Sequence, residues 1–448
     1  REPVSEVDIG EGFAGPLAVG DVDADGDLDV FVGGQYRPGR YPEPSDASVW
    51  LNDAGALKRV GSNAGIPARV GCVNGATFAD LDGDGDPDLA LAVEWGPVRL
   101  FRNQGGRFDE VTEAMGLSDR TGWWTGIAAG DFDGDGRLDL AVGNAGRNTA
   151  YALYSPGPYR LYHGDWDGSG RLGLVEAWRR EGDWLPIQPR SKLSTLLPDL
   201  ASRFATHEAF GRATLPEILG ASAASAAFVE AVELDSGVFL NRGDRFEWRP
   251  LPPDAQRSPV FAVQVLDADG DGREDLFLSQ NRSDLLPELS RDDSGRSLLL
   301  RGNGEGEFRA LDATESGLFV LGEQRAAAVA DFNHDGRTDV VVTQVNGPTR
   351  LLVNRGGLTG LRVSLAGPPA NPDAVGALVR LHLPGGGRGP VRPILGGSGF
   401  GSQDAATVVL GAPVFPESLW VRWPGGREQV VPISPGQREV RVTQGVRE

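Results

Sequence analysis

Short apolar runs along this chain break off into an acidic loop, and on its far side every second residue is apolar again. Leu17-Ala18-Val19, Ile127-Ala128-Ala129 and Ala328-Val329-Ala330 stand before such loops; Leu28, Val30 and Val32, or Leu89, Leu91 and Val93, follow them. Alternation with period two predicts half-buried strands, so the unit reads strand, loop, strand. A second pattern comes after most loops: an apolar pair, Asn or a near substitute, a Gly turn and an aromatic. It is clear at Leu100–Phe108, Phe239–Phe246, Leu299–Phe308 and Leu352–Gly356, and looser at Val49–Asn52. These segments supply two further strands joined by a hairpin. Four strands per unit, recurring at about 50 to 60 residues, predict β-propeller blades, six or seven of them.

The loop has nine positions. Asp21, Asp23, Asp25, Asp27 and Asp29 hold positions 1, 3, 5, 7 and 9 of the first copy, and Asp80, Asp82, Asp84, Asp86 and Asp88 those of the second. The third has Asp131, Asp133, Asp135, Arg137 and Asp139; the fifth Asp267, Asp269, Asp271, Arg273 and Asp275; the sixth Asp331, Asn333, Asp335, Arg337 and Asp339. The fourth keeps Asp165, Asp167 and Ser169 but ends in Gly173. Side-chain oxygens at 1, 3, 5 and 9 converge on one point if the chain turns sharply, which the Gly at position 6 permits. Position 7 would add its carbonyl, so its side chain is free to vary. Flexible all-oxygen coordination suits Ca²⁺ better than the stricter octahedron of Mg²⁺. About five Ca²⁺ sites are expected, with the fourth loop binding weakly or not at all. Replacing Gly173 by Asp is expected to strengthen it.

Two stretches depart from the repeat. Residues 176–236 carry helical spacing at Leu196, Leu197, Leu200 and Phe204, and a second helix with Thr214 as N-cap, Pro216 in its first turn and Gly220 at its end. They read as a partly helical insertion within a propeller spanning 1–355. From 356 to 448 the loops stop. Short alternating runs such as Leu361-Arg362-Val363 and Leu419-Trp420-Val421, separated by Pro and Gly turns, predict a small antiparallel β-sandwich-like domain. The fold class is all-β.

Composition changes this picture little. Of 448 residues, 24% are charged and 40% hydrophobic, an ordinary globular balance. The net charge of −20 disfavours nucleic acid, and five bound Ca²⁺ would cancel half of it. A single cysteine, Cys72, excludes an intrachain disulfide. Loops of this kind fill where calcium is plentiful, so an extracellular, cell-surface or periplasmic site is expected. No apolar stretch reaches the length of a membrane span.

The loops with their Leu-x-x-Asn-x-Gly units resemble FG-GAP (VCBS) repeats, the blades of integrin α-subunit propellers. The tail resembles the ASPIC/UnbV domain through Val375-Gly376-Ala377, Gly396–Asp404, Leu410-Gly411 and Val421–Arg427. Together they resemble bacterial relatives of cartilage acidic protein, and the insertion, with Phe204–His207 and Ala213–Gly220, is similar to that group as well. The chain departs from it at the fourth loop and at Val408-Val409-Leu410-Gly411, where an aromatic more often precedes Leu-Gly. The resemblance implies a secreted calcium-binding propeller, often adhesive or of matrix type, with no established catalytic site in the tail.

Other motifs add little. His163, His207, His334 and His382 have no metal-ligand spacing. Cys72 reads as a small buried hydrophobe. Arg242-Gly243-Asp244 spells an adhesive tripeptide but lies in a hairpin that the blade needs anyway. Asn281-Arg282-Ser283 is a glycosylation sequon. Trp123, Trp124, Trp166, Trp178 and Trp184 offer a carbohydrate-stacking surface or strand core. The expected role is non-catalytic adhesion, interaction or assembly with a protein or glycan partner, including self-association into a filament or surface layer. The alternative is an extracellular enzyme or binding protein for polysaccharide, with the propeller as its scaffold.

Overall fold

The computed structural model describes residues 11–445, apart from 61–63, 155, 225 and 284–290. Strands dominate. The first blade is an antiparallel sheet of Ala14–Gly20, Asp29–Gly34, Ser48–Asp53 and Ala56–Val60, in that order. The second runs Cys72–Ala79, Asp88–Pro97, Arg99–Gln104 and Arg107–Glu110. The third joins Ile127–Gly130 and Asp139–Val142 to Gly237–Asn241 and Phe246–Pro250. Val260–Leu266, Asp275–Gln280, Leu298–Gly302 and Phe308–Ala310 form the fourth. Gln324–Ala330, Asp339–Gln344 and Arg350–Leu352 form the fifth. The first strands of successive blades lie side by side, as a propeller requires.

Each acidic loop joins a blade's first strand to its second in one register. The residue before position 1 pairs with position 9: Gly20 with Asp29, Ala79 with Asp88, Gly130 with Asp139, Leu266 with Asp275 and Ala330 with Asp339. Apolar faces between blades bury Phe31, Phe78, Leu89, Phe101 and Phe108 between the first two, and Leu276, Leu278 and Leu300 among the third and fourth.

Among the described residues the blades number five, not the six or seven expected. The fourth loop accounts for one difference, because it belongs to a sheet outside the ring. Asp183–Pro186, Gly173–Arg180, Tyr159–Gly164 and Ala227–Ala231 form a separate four-stranded sheet between the second and third strands of the third blade. One set of its side chains packs on short helices: Val175 and Ala177 meet Leu193, Leu200, Phe210 and Ile218. Another set, with Tyr159 and Leu161, meets Trp95 and Tyr151. The excursion therefore begins before residue 176 and is a sheet as well as helices, at Arg190–Leu196, Leu200–Arg203, His207–Gly211 and Leu215–Leu219. The last of these has the predicted Thr214 cap, in a capping box with Glu217, and ends at Gly220.

The C-terminal region has two sheets around a core of Val363, Val379, Leu381, Leu419, Val421 and Trp423. It is not wholly antiparallel as expected. Leu361–Ala366 and Glu439–Thr443 run parallel, since the region's first and last strands are neighbours. A segment of this region threads the middle of the ring. Val19 N–H donates to Gly396 O at 2.6 Å, Gly399 N–H to Ile127 O at 2.8 Å, and Ala405 N–H to Val329 O at 3.0 Å. Ser398 Oγ meets Gln264 Oε1 at 3.3 Å. The glycines are needed there, because a Cβ on Gly396 would stand 2.5 Å from Val19 O and one on Gly399 2.9 Å from Gln264 Nε2. That close approach is what the Gly-Gly-Ser-Gly-Phe-Gly run provides.

Candidate metal sites

In all five ring loops one hydrogen-bond plan sets the carboxylates. At position 1, Oδ2 accepts the N–H of the position-6 glycine, at 2.9–3.2 Å for Asp21, Asp80, Asp131, Asp267 and Asp331. Position 3 accepts from the N–H of position 5 through Asp23, Asp82, Asp133, Asp269 and Asn333. Position 5 accepts from the N–H of position 7 through Asp25, Asp84, Asp135, Asp271 and Asp335. The chain is wrapped around its own side-chain oxygens. One ligand atom each from Asp21, Asp23 and Asp29 lie within 4.8 Å of one another, as do those of Asp80, Asp82 and Asp88, of Asp131, Asp133 and Asp139, and of Asp267, Asp269 and Asp271.

These clusters can hold a metal ion. Asp21 Oδ1 and Asp131 Oδ1 are shielded from solvent and have no hydrogen-bond partner, so each is an acceptor lacking a cation or donor. Burial, with neighbouring carboxylates adding to it, pushes Asp21 up to about 6 and Asp131 and Asp267 to about 7. Burial raises Asp29 and Asp88 to about 7 and Asp139 and Asp275 to about 8, with backbone hydrogen bonds offsetting part of the shift. A divalent cation at the focus reverses that balance and keeps the carboxylates ionised.

Position 9 does more than the sequence suggested. Its Oδ2 takes the N–H of position 2, and its Oδ1 takes an N–H from the blade's third strand, all at 2.7–3.1 Å: Val22 and Asn52 on Asp29, Leu81 and Asn103 on Asp88, Phe132 and Asn241 on Asp139, Ala268 and Gly302 on Asp275, Phe332 and Asn354 on Asp339. The recurrent Asn then reaches the next loop round the ring. Asn103 Nδ2 donates to Val22 O at 2.8 Å, Asn241 Nδ2 to Leu81 O at 2.7 Å and Asn354 Nδ2 to Ala268 O at 2.7 Å. The motif was visible in the sequence, but its bond to a neighbouring blade was not. Position 4 was also missed: it is left-handed throughout, at Ala24, Gly83, Gly134, Gly270 and His334, which explains the frequent glycine there.

Position 7 side chains act outside the focus. Asp27 and Asp86 accept the N–H of Ala54 and Gly105 in the outer hairpin, while Arg137, Arg273 and Arg337 lie against Asp135, Asp271 and Asp335.

The fourth loop keeps the same turn, with Gly170 N–H on Asp165 Oδ2 at 2.8 Å and Ser169 N–H on Asp167 Oδ1 at 2.9 Å. Asp165, Asp167 and Ser169 are exposed, however, and the place of the missing ninth carboxylate is filled. A Cβ on Gly173 would stand 2.3 Å from the Trp166 ring. An aspartate at 173 would therefore have to displace the Trp166 ring, an obstacle that spacing alone does not show.

The remaining candidates are occupied elsewhere. Arg242 of the Arg-Gly-Asp tripeptide pairs with Asp133 of the third loop and with Glu247. Asn281 of the sequon is buried, its Nδ2 donating to Gly295 O and Gly322 O. Cys72 is buried against Pro42 O, and burial pushes its thiol up to about 12. Trp124 is buried core, and Trp184 lies under the Arg160 guanidinium.

Two family models match the chain: FG-GAP-like repeat at residues 21–91 and 80–142, and ASPIC and UnbV at residues 367–448. Among characterised relatives, the chain is similar to cartilage acidic protein 1 of Xenopus tropicalis, 26% identical over 293 residues, covering 62% of this chain and 41% of that protein. To cartilage acidic protein 1 of Homo sapiens it is 31% identical over 350 residues, covering 75% of this chain and 40% of the human protein. The match thus spans about two fifths of the length of these relatives. Among solved structures, an exotype rhamnogalacturonan lyase aligns over 96% of this chain and 73% of its own at 13% identity and a TM-score of 0.31. The chain carries FG-GAP-like repeats and an ASPIC/UnbV domain in an all-β, propeller-like fold, with acidic loops able to hold metal ions. No helix among the described residues is long and apolar enough to cross a membrane.

Proposed function

We propose that this protein is an extracellular calcium-binding propeller acting by non-catalytic contact with a protein or glycan partner, a second copy of itself included. The observation that carries the calcium reading is the pair of buried, unpartnered oxygens, Asp21 Oδ1 and Asp131 Oδ1, each on a residue that belongs to a cluster of three carboxylates. Weak loops of this class, with Kd on the order of 10⁻⁴–10⁻³ M, fill outside cells. Calorimetric titration of the chelator-treated protein tests it, with about five Ca²⁺ expected per chain; heat no larger than that of a denatured control defeats the reading.

The contact role is supported by the fifth blade. Its outer strand Arg350–Leu352 has no further strand paired to it among the described residues, and Leu351 in it and Val353 just after it are exposed. An open edge with apolar flanks favours addition of another chain. In two open grooves several carboxylates are tied up in pairs, which favours the non-catalytic reading. In one, about 700 Å³, Asp235 is paired with Arg147; in the other, about 590 Å³, Glu94 accepts from Tyr41 and Glu110 from Arg99. Light scattering and negative-stain microscopy in millimolar calcium should show association that Leu351→Lys abolishes. A strictly monomeric protein that also retains no matrix protein or glycan would refute the contact role.

A further inference from the structure

The position-1 carboxylates have two sides. Oδ1 is unpartnered in Asp21 and Asp131 and takes a loop N–H in Asp80, Asp267 and Asp331, while Oδ2, already holding the position-6 N–H, is the oxygen open to the C-terminal region. There it meets a second group in four of the five ring loops. The Arg422 guanidinium pairs with Asp80 Oδ2 and also donates to Gly83 O at 3.2 Å. Arg362 Nε lies 2.8 Å from Asp331 Oδ2. Val391 N–H donates to Asp131 Oδ2 at 2.9 Å. Gly411 packs so closely on Asp267 Oδ2 that a Cβ there would stand 2.0 Å away, and beside it the buried Arg392 grips Glu274. Among the described residues Asp21, in the first loop, takes only the Gly26 N–H.

We infer that the ASPIC/UnbV region completes the metal loops, Arg422, Arg362 and the Val391 amide acting as positioning groups that hold each position-1 carboxylate with Oδ1 turned to the cation. The inference rests on the loops being calcium sites. These groups, Arg422 and Arg362 by ion pairing and the Val391 amide by hydrogen bonding, meet the position-1 carboxylates at Oδ2, so they supply orientation and leave coordination unchanged. Side chains of Asp80 and Asp331 are 6% and 1% exposed, so a carboxylate there that loses its outer partner is left in a dry pocket with only the N–H groups of its own loop, Gly83 and Gly85 or Asp335 and Gly336, to orient it. Outer-sphere partners of this kind are worth roughly 10–100-fold in metal affinity. Linkage makes the effect reciprocal: calcium strengthens the docking of the C-terminal region by the same factor.

The sign separates this from a rival role. A guanidinium acting mainly by its charge repels Ca²⁺, so its removal tightens binding, whereas a positioning guanidinium, when removed, weakens it. Native mass spectrometry of the full chain at limiting calcium counts the ions, and calorimetry gives the affinities. Arg422→Gln and Arg362→Gln should each weaken one site about tenfold, with Arg422→Lys recovering part of the loss and the remaining sites unchanged. Wild-type or tighter binding in both variants overturns the inference, while a wild-type protein that binds no calcium overturns the calcium reading instead. Should the variants fail to fold, hydrogen exchange on the unaltered protein decides. The Val391 amide should exchange at least tenfold more slowly with calcium than in chelator; equal rates, with the propeller strands still protected, overturn it.

Discussion

The fourth acidic loop and the five in the ring share one turn but not one environment. Gly170 closes on Asp165 just as Gly136 closes on Asp131, with N–H to carboxylate distances of 2.8 and 3.1 Å. Yet Asp131 and Asp139 are almost wholly buried, and burial pushes their pKa values up to about 7 and about 8, whereas the Ser169 hydroxyl and N–H hold that of Asp167 below its ordinary value. The comparison separates two functions of the repeat. The Asp-x-Asp-x-x-Gly spacing makes a turn anywhere. It makes a strained cluster of anions, and so a reason to bind a cation, only where a ninth carboxylate is anchored and neighbouring elements exclude water.

The largest test of that contrast is removal of the metal. Each site filled at a hundredfold excess over its Kd adds about 2.7 kcal/mol to the folded state. Chelation should therefore lower the melting temperature by on the order of 10 °C or more, since several sites empty together. An unchanged transition in EDTA would remove the distinction between the ring loops and the fourth.

Next in size is the pH dependence in chelator. Burial raises Asp29, Asp88, Asp139 and Asp275 in the folded protein to about 7 to 8, well above the ordinary carboxylate range. A carboxyl raised on folding contributes stability that is complete below its unfolded pKa and is lost as pH climbs through the folded value. The metal-free protein should thus lose melting temperature between pH 5 and 8. With saturating calcium the trend should vanish or reverse, because the cation binds the ionised form. Parallel pH profiles with and without calcium would contradict the site assignments.

Much of this was legible in the chain. The strand–loop–strand unit and the Thr214 cap follow from alternation and turn residues, because local periodicity determines them. The blade count did not follow. Nothing in Asp165–Gly173 says that its strands pair with Ala227–Ala231 instead of joining the ring; that is decided by aromatic packing of Tyr159 on Trp95 and Tyr151, contacts remote in sequence. The contacts from the C-terminal region to the loops were hidden for the same reason. Arg422 lies more than three hundred residues from Gly83, and no local pattern marks it as a partner of the second loop.

A single substitution sharpens the contrast within one blade. Asp139 anchors the N–H groups of Phe132 and Asn241, at 2.9 and 2.7 Å, both in the interior. Asp139→Ala orphans both, at about 1–3 kcal/mol for each buried N–H, and should also lose the third site. Asp167→Ala, on the exposed fourth loop, should leave the denaturation midpoint unmoved. Equal effects of the two would mean that position 9 and burial do not matter.

The smallest expected effect is a gain. Gly173→Asp alone adds a side chain where the Trp166 indole already lies, so it should destabilise the inserted sheet and bind no calcium. In the ring, position 2 carries Val22, Leu81, Phe132, Ala268 or Phe332, and its N–H is fixed by the ninth carboxylate while the side chain points elsewhere. The double variant Trp166→Val with Gly173→Asp removes the obstruction and restores the anchor together. It should gain one calcium ion, visible by native mass spectrometry at millimolar calcium, but with lower affinity than any ring loop, because Asp165 and Asp167 stay exposed and, among the described residues, no C-terminal donor reaches them. Affinity equal to the ring sites would show that the nine-residue pattern suffices by itself, and that burial and the outer contacts are incidental.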